Sequence, residues 1–140
     1  MPQWLRSVLA IVAGFLFIGL LSVGTDGIVR GLYPNAFGAD SGTSNTAVLL
    51  GSTIYVGIYA IAGCWLAAAL AGRRPMMHAL ILGVLGLALN LAGVARMLHL
   101  FPTWYTVVNV LLVMPYAWIG GKLRERQLER RGAVRAPAAA

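Results

Sequence analysis

Four long apolar runs, parted by short polar connections, constrain this chain more than any other feature. They cover Trp4 to Gly24, Ala47 to Ala71, Met76 to Ala95 and Thr103 to Gly121. About 20 helical residues, each rising ~1.5 Å, cross the ~30 Å hydrocarbon core of a bilayer. Lipid gives the backbone no hydrogen-bond partner, so only helices and closed barrels span it. The runs are continuous rather than alternating, which is the pattern of helices and not of barrel strands. With 59% hydrophobic and 11% charged residues, the chain holds more apolar surface than a water-soluble core of 140 residues can bury. The predicted fold is therefore all-α: an integral membrane, antiparallel four-helix transmembrane bundle. Residues 1–121 form the single four-span domain, with spans at 4–24, 47–71, 76–95 and 103–121 and an external loop at 25–46. Residues 122–140 form a basic cytoplasmic tail.

Charge orients the bundle. Nine of the eleven Lys and Arg residues lie at Arg6, at Arg73 and Arg74, and in the tail at Lys122, Arg124, Arg126, Arg130, Arg131 and Arg135. If all four runs cross, these places share one side, and Arg30 and Arg96 alone lie on the other. The positive-inside rule then sets both termini in the cytoplasm, N-in and C-in. Arg6, the run Val8 to Leu21 and Ser22-Val23-Gly24 also have the form of a signal peptide. The 21 residues from Trp4 to Gly24 favour an uncleaved span. The net charge of +7 is accounted for by these flanking residues, so no nucleic-acid partner is expected. Trp4, Trp104, Tyr105, Tyr116 and Trp118 sit near span ends, as an aromatic belt does.

Connections set the neighbours. Gly72-Arg73-Arg74-Pro75 is a tight turn and Arg96 to Pro102 a short link, so the second, third and fourth spans are successive neighbours. Tyr33-Pro34-Asn35 reads as a turn, and Gly38 to Thr46 is polar and ends near a helix cap. The tail KLRERQLERR continues the fourth span as a helix whose basic residues meet anionic lipid headgroups, and the residues from Gly132 onward are expected to lack structure.

The third span carries a helix-packing seam. Ala79, Gly83, Gly86, Asn90 and Gly93 are spaced 4, 3, 4 and 3 residues apart, which puts them on one helical face. Small residues let membrane helices approach, and an occasional amide adds a hydrogen bond. Leucine at Gly86 is expected to disrupt that contact. Measured from the cytoplasmic ends, Asn90 lies ~21 Å deep and Asn109 ~18 Å deep, so the two amides are expected to bond directly or through water. Pro115 is expected to kink the fourth span.

Chemistry-bearing residues are few. Glu125 and Glu129 lie in the tail and Asp40 in the loop, which leaves Asp26 near the outer surface. By the same reckoning Asp26 is ~33 Å and Arg96 ~30 Å from the cytoplasmic ends. Arg30 follows Asp26 by one turn and His99 lies just beyond Arg96, so Asp26, Arg30, Arg96 and His99 are expected to form one polar cluster. His78 and His99 are ~31 Å apart on one span, at opposite surfaces, so one chain cannot offer both to a haem. His78 is expected at the interface beside Arg73 and Arg74. Lone Cys64 excludes an intrachain disulfide and a CxxC pair. No catalytic residue, cofactor or metal is expected, because no zinc-protease, serine-hydrolase or nucleotide fingerprint occurs.

Thr25-Asp26 with Arg30, Arg73-Arg74-Pro75-Met76 with His78-Ala79, and Trp104-Tyr105 followed by Pro115, Ala117-Trp118 and Gly120-Gly121 are signatures scattered over most of the chain. In these the sequence resembles a loose group of small uncharacterised bacterial four-helix integral membrane proteins. The resemblance implies a multi-pass protein of the bacterial inner membrane and carries no activity. Together these features point to a non-enzymatic membrane protein, an accessory or structural subunit of a membrane complex or a homo-oligomer. The expected partners are the lipid bilayer, anionic headgroups, and other membrane subunits or itself. A small oligomeric transporter or channel using the Asp26/Arg96 cluster is the alternative, and a membrane redox or haem-binding protein the second alternative.

Overall fold

A computed structural model of the chain describes residues 2–135, with side chains as far as Gly132. Four α-helices account for nearly all of it: α1 (Gln3–Leu32), α2 (Thr46–Ala71), α3 (Pro75–Met97) and α4 (Thr103–Arg135). No strand occurs among the described residues. All four helices are long and apolar enough to cross a membrane, which suggests a membrane protein.

Local chemistry sets the helix ends. Two of them fall beyond the expected places. α1 continues past Gly24 to Leu32, because no breaker occurs before Pro34, whose ring excludes a helical conformation at the preceding Tyr33. Only residues 33–45 remain as connection, and a single 3₁₀ turn at Pro34–Ala36 opens it. α4 runs through Gly132 to Arg135, so the start of the segment expected to lack structure is helical backbone; residues 136–140 lie outside the described residues. Pro115 sits inside this unbroken helix, where it removes the N–H that would bond the Leu111 carbonyl.

The start of α2 is capped as its sequence suggests. Asn45 Oδ1 accepts from the N–H groups of Ala47 at 3.0 Å and Val48 at 3.3 Å. At the other end Gly72 takes φ 75°, a left-handed conformation that glycine adopts without steric cost. Pro75 then occupies the first turn of α3, where its missing N–H leaves no helical bond unmade.

Close contacts give the helix directions. Arg6 Nε donates to Leu70 O at 2.8 Å, Gly14 packs on Gly63, and Thr25 bonds Tyr59, so α1 and α2 run opposite ways. Gly121 lies against Ala79, and Gly83 against Ala117, so α3 and α4 are also opposed. Ser52 meets Tyr105, Gly57 meets Tyr116, and Gly120 meets Cys64, so α2 and α4 run the same way. α1 lies along α2 and touches α3 only sparsely.

The bundle is tight at one end and loose at the other. Its core is a cluster of small side chains, Cys64, Ala67, Ala68, Ala79 and Ala117 with Leu82, near the α2–α3 turn. There an added methyl has no room: a Cβ on Gly83 would stand 2.5 Å from the Ala117 Cβ, and one on Gly120 would stand 2.6 Å from the Ile61 carbonyl oxygen. Toward the opposite end α3 and α4 separate. A Cβ on Gly86 would make only ordinary contact with Val113, at 3.8 Å, and one on Gly93 would meet nothing within 4 Å. The closest approach along the expected seam is therefore at Gly83, not Gly86. Many other large apolar side chains face outward, an arrangement that fits helices long and apolar enough to cross a membrane.

The belt of aromatic residues is only partly as expected. Trp4, Trp104 and Trp118 are exposed, but Tyr105 and Tyr116 turn inward, the latter against Gly57.

Candidate functional site

At the loose end, α1, α2, α4 and the 33–45 connection border a cavity of about 70 Å³ with mixed polar and apolar walls. Asp26 and Arg30 of α1 line it, together with Ser52 and Tyr55 of α2, Thr43 of the connection and Tyr105 of α4. Two hydrogen-bonded pairs tie its walls, and a third joins α1 to α2 one turn away. The Tyr55 hydroxyl donates to Asp26 Oδ1. Thr25 and Tyr59 share a bond of 2.9 Å. Ser52 Oγ donates to the Leu49 carbonyl at 2.8 Å, so its bond of 2.9 Å with Tyr105 must take the tyrosine as donor, a serine having one proton to give.

The floor is held by the connection. Gly42 N–H donates to Asp40 Oδ1, closing a turn in which Ser41 adopts φ 66°. Thr43, buried, donates its hydroxyl to Ala36 O at 2.5 Å and its N–H to Leu100 O at 3.1 Å. One residue thus clamps the connection to the α3–α4 link. Gly42 lies so close to Leu100 that a Cβ there would stand 2.5 Å from its carbonyl oxygen.

The expected four-residue cluster divides. Asp26 and Arg30 line the cavity, but Arg30 lies over the Phe37 ring, 5.4 Å from its centroid. Arg96 is exposed on α3, and His99 lines a separate surface groove beside Asp40 and Thr43. The one ion pair among the described residues is Lys122–Glu125 at 3.2 Å, so Arg96 is not the partner of Asp26. Equal depth did not make them neighbours, because α1 packs on α2 rather than α3. The partner is Tyr55. Its signal was present: Ser52, Tyr55 and Tyr59 recur at spacings of 3 and 4, a polar stripe on one face of an otherwise apolar helix.

The two asparagines do share a space. Asn90 and Asn109 line one cleft of about 240 Å³ between the halves of α3 and α4 next to their connecting link, with Gly93, Met97 and Thr106. They do not bond each other. Asn109 Nδ2 donates to its own helix, at Tyr105 O, 3.0 Å away. Asn90 Oδ1 is buried and without a partner among the described residues. Of the seam residues, Ala79, Gly83 and Gly86 face α4, while Asn90 and Gly93 face this open cleft.

His78 is buried within the bundle in the first turn of α3, with Nδ1 3.1 Å from the Arg74 carbonyl. A carbonyl only accepts, so in this contact Nδ1 is the donor, and the ring bonds back across the first turn of α3. Among the described residues no three His, Cys, Asp or Glu side chains converge as metal ligands.

A cavity of 70 Å³ holds a few waters, whereas pockets for organic ligands run to about 300–1,000 Å³. Its polar groups are a carboxylate, a guanidinium and hydroxyls whose protons are largely spent on one another, a setting suited to water or a proton. Comparison with protein-family models, curated proteins and solved structures finds no match.

Proposed function

We propose that this chain is a non-enzymatic, four-pass protein of the bacterial inner membrane, with both termini in the cytoplasm. It works as an accessory or structural subunit of a membrane complex, or as a homo-oligomer, and docks through the outer cleft between α3 and α4. The observation that carries this reading is the half-used seam. Its inner half is filled by α4, while its outer half presents Gly93 to open space beside Asn90 and Asn109. Membrane helices associate through small residues, so a further helix laid in the cleft against Gly93 gains close packing. Orientation rests on the nine basic residues at one end of the bundle against two at the other.

The test is gentle purification of a tagged chain from its host, followed by native mass spectrometry, for wild type and Gly93→Leu. Wild type is expected to travel with a membrane subunit or with copies of itself, and leucine in the cleft to displace it. A lone stable wild-type monomer, or an unchanged assembly in the variant, refutes the reading. A carboxyl-terminal fluorescent fusion is expected to glow and a phosphatase fusion to stay inactive.

The cavity supports a second reading, a small oligomeric transporter or channel for protons with Asp26 as its carboxylate. Its position near one end of the bundle, rather than at the midplane, weighs against it. Unchanged liposome flux in Asp26→Asn removes it.

A further inference from the structure

α2 and α4 run side by side, and toward the α2–α3 turn an open groove of about 680 Å³ lies between them. Its lining changes character along its length. Ile58, Ile61, Trp65 and Leu123 form apolar walls, and Arg126 and Arg130 form a basic mouth. The two arginines stand one turn apart and so project from one face of α4. Of the neighbouring charged groups, Lys122 pairs with Glu125 and Arg124 donates to Gln127 Oε1 at 2.7 Å, while Glu129 and Arg131 are exposed and line no part of the groove. Neither Arg126 nor Arg130 has a protein partner among the described residues.

We propose that this groove holds one anionic phospholipid, its headgroup phosphate on Arg126 and Arg130 and one acyl chain along Trp65 and Ile61. Charge complementarity selects the occupant. Guanidinium groups take phosphate oxygens in pairs, whereas a protein helix in the same groove would leave two cations unmatched at its mouth. Depth agrees. Arg126 lies ~7.5 Å and Arg130 ~13.5 Å beyond Gly121, where the hydrocarbon is expected to end. The headgroup layer is ~5–8 Å thick, and arginine side chains reach back along their stems. The basic tail thereby becomes a defined site on the bundle instead of a diffuse anchor. The proposal rests on the bundle lying in a bilayer and not on its being a subunit, because retained lipid is counted on monomer and oligomer alike.

The experiment is native mass spectrometry of the full chain, released from nanodiscs of phosphatidylglycerol or of phosphatidylcholine with matched acyl chains. Wild type is expected to retain phosphatidylglycerol over phosphatidylcholine by roughly 30-fold, the preference two surface arginines confer. Arg126→Ala with Arg130→Ala is expected to abolish that preference. Arg73→Ala with Arg74→Ala, an equal loss of charge on the same side, is expected to keep it. Ala62→Trp, which fills the apolar length of the groove without changing charge, is expected to lose the lipid. Equal retention of both lipids by wild type overturns the proposal. So does an equal loss in the two double variants, or full retention in Ala62→Trp. A measurement on wild type alone guards against misfolded variants: phosphatidylglycerol added to delipidated protein is expected to raise its unfolding temperature more than phosphatidylcholine does, and equal shifts refute the site.

Discussion

Gly83→Ala and Gly86→Ala make the same chemical change on one face of α3, and the structure assigns them opposite outcomes. At Gly83 the new methyl would stand 2.5 Å from the Ala117 Cβ. Carbon atoms pack best at about 3.5–4.0 Å, so α3 and α4 must part by roughly 1 Å or more at this level. Overpacking of this kind costs about 1–3 kcal/mol. At Gly86 the nearest atom, Val113 Cγ1, lies at 3.8 Å, an ordinary contact. There alanine gains helix stability of about 0.5–1 kcal/mol over glycine. The two variants should thus differ by ~2 kcal/mol, close to 30-fold in the unfolding equilibrium. Ala117→Gly moves the methyl from one helix to the other, and should recover ~1 kcal/mol or more when combined with Gly83→Ala. Helical circular dichroism during titration with denaturing detergent measures the global effect. Cys64, 3% exposed in the same core, supplies a local one, since its alkylation by a permeant maleimide reports opening of the tight end. Similar titrations for the two glycine variants, or no rescue by Ala117→Gly, would refute the α3–α4 packing.

Three further outcomes follow from single contacts. Tyr55→Phe removes the donor to Asp26 and is expected to cost about 1–3 kcal/mol, more than Asp26→Asn, which keeps an acceptor; the reverse order in detergent titration would deny the pair. Asn45→Ala loses both cap bonds of α2, so ~1 kcal/mol of stability and faster hydrogen exchange in its first turn are expected, and unchanged exchange counts against the cap. Gly42→Ala drives a methyl against the Leu100 carbonyl and should loosen the connection enough to speed its proteolysis in residues 33–45; equal cleavage rates would show that the clamp is elsewhere.

The helices were legible because run length and composition are one-dimensional properties, read directly from the chain. Depth is one-dimensional too, and it brought Asn90 and Asn109 to the same cleft, since their helices are joined by a short link and must be neighbours. The same reckoning failed for Asp26 and Arg96. Depth along the membrane normal says nothing of the angular order of helices, and α1 turned out to lie on α2. The stripe of Ser52, Tyr55 and Tyr59 would have supplied that missing angle, because hydroxyls on one face of an apolar helix need partners on whichever helix that face meets. Tyr105 and Tyr116 were misread for a related reason. A tyrosine near a span end suits both a headgroup and an interior cavity, and only the neighbouring helix decides. At Tyr116 that neighbour is Gly57, whose lack of a side chain leaves the space the ring fills.

The uneven use of small residues bears most directly on function. A stand-alone bundle gains by closing along its whole length, yet here the contacts at Gly14, Gly63, Gly83 and Gly120 tighten one end while Gly19, Gly24, Gly27 and Gly93 face nothing within 4 Å. Glycine in a helix costs about 0.5–1 kcal/mol relative to alanine, a cost that close packing offsets at the tight end and nothing within the chain offsets at the other. On α3 the open position lies one turn from Asn90, in a cleft that α4 leaves unfilled. A partner helix would supply the close backbone approach that lipid chains cannot. On this ground the uncovered half of the seam favours a subunit over a solitary bundle, and Gly93→Leu, which fills the cleft while leaving the tight core untouched, separates the two.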